Sequence, residues 1–298
     1  MLHLTDVQKS FGTFSALSNL SVTVPTGSIF GLLGPNGAGK TTAIRIINSI
    51  YQADSGTVTW QDSPVTEEWV RKHVGYLPEE RGLYPKMSVQ ENLYFFAQIH
   101  RQDLTPELKQ RIESLLERFD LLKHAKKELG KLSKGMQQKV QILATILHDP
   151  ELLILDEPFT GLDPVNTRKL KDLIRELQQE GKTIILSTHR MEQVEELCTN
   201  IVLIHQGQSV LQGPVREVKT QNRTNTFILE TDSDLTETPP GTILEQSDSR
   251  VKFQVENHEH AQTFLASILA QQSVLEFREV LPTLEEIFIQ QVNTPDHD

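Results

Sequence analysis

One cysteine, Cys198, stands in 298 residues, so no disulfide can form within the chain and no cluster of thiolates can hold zinc. A lone thiol fits a reducing compartment. Positive charge is also short: 29 Lys and Arg face 40 Asp and Glu, a formal net charge of -11. Without a basic surplus to displace counterions, nucleic acid is not an expected partner, although a local basic face is compatible with that balance. No apolar run approaches the ~20 residues that a bilayer-crossing helix needs. The first ten residues, Met1 to Ser10, lack the basic-then-apolar pattern of a secretory signal. The expectation is a soluble cytoplasmic protein that reaches a membrane only through a partner. What is present suffices for folding: 37% hydrophobic residues, and length for one large domain plus a smaller one.

The most informative stretch runs from Ser28 to Ile47, where an apolar strand leads through a glycine-rich loop into a helix. Gly34-Pro35-Asn36-Gly37-Ala38-Gly39-Lys40-Thr41-Thr42 has the spacing of a phosphate-binding loop in its proper strand–loop–helix setting. Glycines at 34, 37 and 39 let successive backbone N–H groups converge on phosphate oxygens. The helix beginning near Lys40 points its positive end at the same anion. Lys40 adds a point charge to the β and γ phosphates of ATP, and Thr41 offers a hydroxyl to Mg²⁺.

Other segments place further polar groups. Leu152-Leu-Ile-Leu-Asp-Glu157 reads as a buried strand ending in two acids. Neighbouring side chains on a strand diverge, so the two take separate roles. Asp156 is placed to hold Mg²⁺, and Glu157 to orient and deprotonate an attacking water. The strand 182–188 delivers His189 at its carboxyl end, where ligands of open α/β sheets bind. A neutral imidazole there can hydrogen-bond the γ-phosphate, although alone it would read as a surface residue opening a helix. Leu132-Ser-Lys-Gly-Met136 opens a helix whose free N–H groups, near Ser133 and Gly135, favour an anion or simply begin a capped helix. Asp163 in Gly161-Leu-Asp-Pro164 is an N-cap for the helix that follows. Phe11, between the first two strands, is positioned to stack on adenine, the alternative being a core role for Phe11 or Phe14.

Along the chain, residues 2–8, 20–24, 56–60 and 71–77 read as strands, and 78–85, with two prolines, as loop. A helical block spans about 86–148, with Thr105 and Pro106 opening one helix. Composition changes after 219–224. Short strands near 227–229, 242–244, 251–255 and 274–280, a helix around 261–268 and the capping box Thr283-x-x-Glu286 describe a small α+β domain. His258 and His260 read as a solvated helix start, since no further metal ligands cluster with them in the sequence.

Taken together these motifs resemble the ATP-binding cassette (ABC) ATPases. Residues 34–42 match the Walker A loop, 132–136 the signature, 152–157 the Walker B strand and 161–163 the D-loop, with His189 as switch histidine and Phe11 at the adenine-stacking position. The resemblance covers about 1–215. It implies an α/β P-loop NTPase core with an antiparallel β subdomain and an inserted helical subdomain. The domains expected are 1–220, an ATPase nucleotide-binding domain, and 222–298, an accessory α+β domain whose ending, Pro282 to Phe288, resembles that of ABC-2-type exporter ATPases, including sodium-extrusion ones.

The resemblance further implies ATP and Mg²⁺ as cofactors and a homodimer or heterodimer of ATPase subunits, closing head to tail. Glu157, His189 and Lys40 would be catalytic, with Ser133, Gly135 and Asp163 contributing to the shared nucleotide site. Integral membrane permease subunits would be partners, facing Arg81, Leu83 and Tyr84, with the protein peripheral on the inner face of the cell membrane. A soluble ABC ATPase of translation or DNA repair is the alternative. Such proteins usually carry two cassettes or a long coiled coil, and this sequence has neither. Two positions depart from the family pattern: Glu79 stands where glutamine is usual, as a metal ligand by charge, and Lys134 and Met136 stand where glycine and glutamine are commoner. Lys134 can approach a γ-phosphate or be solvated.

Overall fold

The computed structural model describes residues 1–80, 82–100 and 103–293. It divides into two compact units, one reaching Val215 and the other beginning at Arg216. The first starts with β1 (Leu2–Phe11) and β2 (Phe14–Val24), a hairpin in which Phe11 faces Phe14. The strands expected at 2–8 and 20–24 are therefore longer. The chain reverses over two residues because Gly12 takes φ +61°, so the aromatic segment 10–16 is hairpin rather than loop.

β3 (Ile29–Leu33) then crosses to a second sheet, and α1 (Lys40–Ile47) follows the glycine loop. β4 (Ser55–Trp60) returns to pair with β1, and the two-residue β5 (Ser63–Pro64) completes an antiparallel sheet in the order β2-β1-β4-β5. α2 (Glu67–His73) and β6 (Val74–Leu77) come next. Here the strand expected at 71–77 is corrected: its first three residues are helical. Thr66 accepts from Trp69 N at the N-terminus, Glu67 and Glu68 occupy the first turn, and Arg71, Lys72 and His73 the last. Those charges complement the helix dipole at both ends and carry the helix to the edge of Val74.

The helical block contains α3 (Val89–Ile99), α4 (Pro106–Arg118) and α5 (Lys134–Ile146). Each begins at a side-chain cap: Ser88 in a capping box with Glu91, Thr105 on Leu108 N at 3.3 Å, and Ser133 on Met136 N at 3.3 Å. Each such cap contributes about 1 kcal/mol. Asn92, fully buried, accepts from Tyr84 N and donates to the carbonyls of Tyr84 and Ser88, fixing the loop that enters the block.

β7 (Leu152–Asp156), α6 (Pro164–Gln179), β8 (Thr183–Thr188), α7 (Met191–Leu197), β9 (Asn200–His205) and β10 (Gln208–Pro214) complete the unit. The second sheet runs β10-β9-β3-β8-β7-β6, parallel except for β10. β3, β7 and β8 are buried along their whole length, which is why β3 and most of β7 read as apolar runs and β8 carries Ile184-Ile-Leu186 at its centre, without alternation. No described helix is long and apolar enough to cross a membrane.

α8 (Val215–Gln221) leads into the second unit, a four-stranded antiparallel sheet of β11 (Thr226–Thr231), β12 (Thr242–Gln246), β13 (Arg250–Gln254) and β14 (Val274–Val280), in the order β12-β13-β11-β14. α9 (His258–Leu269) supplies Ala261, Phe264 and Ile268 to a core with Phe227, Leu229, Val251 and Phe253. α10 (Leu284–Asn293) follows the Thr283–Glu286 capping box. Asn257 caps α9, and His258 Nε2 lies 3.2 Å from Glu279 Oε1.

Candidate active site

Four adjacent parallel strands, β3, β8, β7 and β6, end on one edge of the second sheet. Each is followed there by polar residues: Gly34 to Thr42 after β3, His189 after β8, Glu157 after β7 and Glu79 after β6. A cleft of about 160 Å³ at this edge is lined by Asn36, Gly37, Gly39, Lys40, Thr41, Glu79, Asp156, Glu157 and His189. Nine residues from four separate segments thus converge on one small volume.

The loop is shaped by backbone angles few residues accept. Gly34 has φ +147°, and a Cβ there would lie 2.2 Å from the carbonyl oxygen of Ile204; Gly39 has φ +112°, with Ala16 O at 2.7 Å from a Cβ. Only glycine fits at either position. Gly39 is the residue preceding α1, and no side chain caps that helix, in contrast to the Ser, Thr and Asp caps of α2 to α6. The N–H groups of the first turn of α1 thus face the cleft without a side-chain acceptor, the arrangement that takes a phosphate. Lys40 Nζ donates to Gly34 O at 2.6 Å and Pro35 O at 3.0 Å, bracing the loop. Burial holds its ammonium below the usual lysine range, opposed by the charges of Glu157, Asp156 and Glu79.

The two acids sit differently. Asp156 is the last residue of β7 and is 5% exposed; burial raises its carboxyl above the usual range, the nearby Ser187 hydroxyl opposes this, and the charges of Glu79 and Glu157 add to it. The Ser187 hydroxyl is buried beside the Asp156 carboxylate. A buried acid with the carboxylates of Glu79 and Glu157 close by, and the Thr41 hydroxyl on the same cleft, fits a site for a hydrated divalent cation. Glu157 leaves the strand at φ +49°, its N–H donating to Ser187 O at 2.9 Å. Its Oε1 accepts from His189 N at 2.9 Å and lies 2.6 Å from His189 Nδ1, while Oε2 accepts from Thr188 Oγ1 at 3.2 Å.

Other residues singled out in the sequence lie elsewhere. Gly34, Pro35, Ala38 and Thr42 belong to the loop and the start of α1 but do not line the cleft. Ser133 and Gly135 begin α5, and neither lines it. Asp163 caps α6 through Asn166 N at 2.9 Å, and that bond holds its carboxyl low. Phe11 is 44% exposed at the hairpin tip, edge-on to Tyr51 at 5.4 Å, with Lys9 Nζ 5.6 Å from its ring.

Arg81 lies outside the described residues. Tyr84 is exposed and packs edge-on against Phe95, whereas Leu83 is buried and lines a separate cavity of about 340 Å³ with Tyr76, Phe96, Ala144 and His148. Sequence reasoning passed over Thr188; its signal was a hydroxyl pair, Ser187-Thr188, directly before His189.

The chain matches the ABC transporter family over residues 17–160 and the family described as "ATP-binding protein DrrA1-3-like, C-terminal domain" over 213–292. It is 39% identical over 295 residues, 98% of both chains, to the uncharacterized ABC transporter ATP-binding protein YhaQ of Bacillus subtilis (strain 168). The chain belongs to the ABC transporter ATP-binding proteins. Within the family, it is 38% identical to the Nod factor export ATP-binding protein I of Rhizobium sp. (strain N33), covering 71% of this chain and 70% of that one. A solved structure described as the ATP binding subunit of an ABC transporter superposes with a TM-score of 0.69 at 30% identity, over 74% of this chain and 92% of the other. The ABC fold accounts for both the convergence on the cleft and the antiparallel sheet beside it. This is an ATP-binding motor subunit with the architecture of an ATPase.

Proposed function

We propose that the chain is the ATP-hydrolysing motor of an export-type ABC transporter, working as a head-to-tail dimer that closes on ATP and moves separate membrane subunits. The observation that carries the dimer is a separation. The helix start at Ser133 and Gly135 belongs to the family's signature yet stands outside the cleft that holds Lys40, Glu157 and His189. A second copy supplying its own Ser133 completes the site. That hydroxyl accepts from Met136 N and retains a proton to donate to a phosphate. Lys134 begins the same helix, exposed.

Within the cleft, Lys40 and the N–H groups of α1 bind phosphate oxygens, and Thr41, Asp156 and Glu79 would hold Mg²⁺. The cation, when bound, neutralises charge on the phosphates. Glu157 takes the proton of a water whose oxygen bonds the γ-phosphorus as the bond to the β–γ bridging oxygen breaks, leaving with ADP its electron pair. His189 steadies the γ-phosphate and the water.

Export is favoured by the likeness to the Nod factor export ATP-binding protein. The ABC-2-type assignment, with its sodium-extrusion members, belongs to this reading. The protein would lie on the cytoplasmic face of the membrane through its permease, with the loop 78–85 and the 340 Å³ cavity turned toward it. The accessory unit is assigned a dimer-stabilising or regulatory role. Purification of tagged protein from detergent-solubilised membranes tests this reading. A polytopic membrane protein should co-purify in stoichiometric amount and stimulate ATP turnover; recovery instead with ribosomes or DNA-repair complexes, and no membrane protein, overturns it.

A further inference from the structure

We propose that Thr188 is the positioning residue for the general base: its hydroxyl holds one oxygen of Glu157 so that the other is free to take the proton of the attacking water. The inference rests on the reading of Glu157 as that base. β8 lies between β3 and β7, and its register sets Ser187 opposite Asp156. Thr188, one residue further and 0% exposed, reaches Glu157 where that residue turns off its strand.

The polarity of this contact is fixed. Arg190 N–H donates to Thr188 Oγ1 at 3.1 Å, and an N–H can only donate. The single hydroxyl proton of Thr188 is left for Glu157 Oε2, 3.2 Å away, and a carboxylate can only accept it.

The two oxygens of Glu157 are held by partners of different mobility. Oε1 accepts from the His189 backbone N–H and faces its ring, whose side chain is 53% exposed and has room to turn. Oε2 is held by the last residue of a buried strand, itself fully buried and fixed by the Arg190 N–H. When the imidazole turns toward phosphate, Oε1 loses one neighbour and opens to water, while Oε2 keeps Thr188. Without that anchor, the glutamate is held by the His189 N–H alone, through the very oxygen that must react, and loss of orientation of this kind governs rate more than affinity.

The test uses the full-length protein and steady-state ATPase assays on Thr188→Val and Thr188→Ser, with thermal unfolding of each. Valine keeps the shape and removes the donor. Thr188→Val should lower kcat about 10- to 100-fold with the KM for ATP within about twofold, and Thr188→Ser should recover to within about threefold of wild type. A Thr188→Val enzyme with wild-type kcat overturns the proposal. So does equal loss in Val and Ser variants with raised KM and a lowered unfolding midpoint, which assigns Thr188 to the strand alone. Glu157→Gln run in parallel separates the two readings: if it abolishes turnover while Thr188→Val is normal, only the role of Thr188 falls, and if it turns over normally, the assignment of the base falls with it.

Discussion

His189 Nδ1 lies 2.6 Å from Glu157 Oε1, so the histidine proposed as the switch and the acid proposed as the base are hydrogen-bond partners. A neutral imidazole carries one N–H, so a ring that donates to Glu157 through Nδ1 has none on Nε2 for a phosphate. Binding and readiness for catalysis are thereby linked through one ring. His189→Ala should lower kcat about 100-fold while ATP affinity changes little, since Lys40 and the α1 N-terminus carry the binding. Turnover and nucleotide titration of the same preparation check this.

Glu79 shares the cleft with Asp156 and Glu157, three acids around one volume. Charge is what it offers a cation, and crowding of like charge is what it costs without one. Glu79→Gln should raise the Mg²⁺ concentration for half-maximal activity by roughly three- to tenfold, with the ATP KM nearly constant. Identical magnesium titrations would remove Glu79 from the metal site.

Gly34 and Gly37 separate two kinds of glycine requirement. At Gly34 a Cβ meets the Ile204 carbonyl oxygen at 2.2 Å; at Gly37 it meets nothing, although φ is +81°. Gly34→Ala should cost roughly 2–4 kcal/mol of stability and abolish ATP binding, and Gly37→Ala only about 1–2 kcal/mol. Denaturant midpoints of the two variants distinguish them.

His148 supplies a pH dependence remote from the cleft. It is 9% exposed, its Nε2 donates to Val74 O at 3.0 Å, and its ring stacks on His100 at 3.6 Å. Burial above all, then His100, pushes its pKa down to about 4, with Arg111 acting the same way and Asp149 and the Val74 carbonyl opposing. The unfolded chain takes up this proton below about 6.5, the folded one only near 4. More protons are bound unfolded across that window, so stability falls as pH drops through it, by up to roughly 3 kcal/mol. In His148→Asn this part of the loss should vanish, measured as the difference in urea midpoints at pH 7.5 and 5.

The site was legible in the sequence wherever chemistry demands a residue type at a fixed spacing. The loop 34–42, the acids ending an apolar strand and the histidine ending the next need no tertiary information, because glycine angles and strand ends are local facts. What stayed hidden depends on neighbours far along the chain. That Thr188 serves Glu157 follows only from β7 and β8 lying side by side. That Arg71 to His73 are helical follows from end charges and a Thr66 cap outweighing a short β-like pattern. Leu83, placed toward a partner by the family resemblance, is buried among residues of the helical block, a packing that no local pattern announces.

The most direct test of the account is sedimentation velocity of the Glu157→Gln variant with and without Mg-ATP. The account predicts monomers alone and a stable dimer holding two uncleaved ATP molecules once nucleotide is added. A variant that stays monomeric with ATP bound, beside a wild-type protein that hydrolyses at full rate as a single copy, would contradict it.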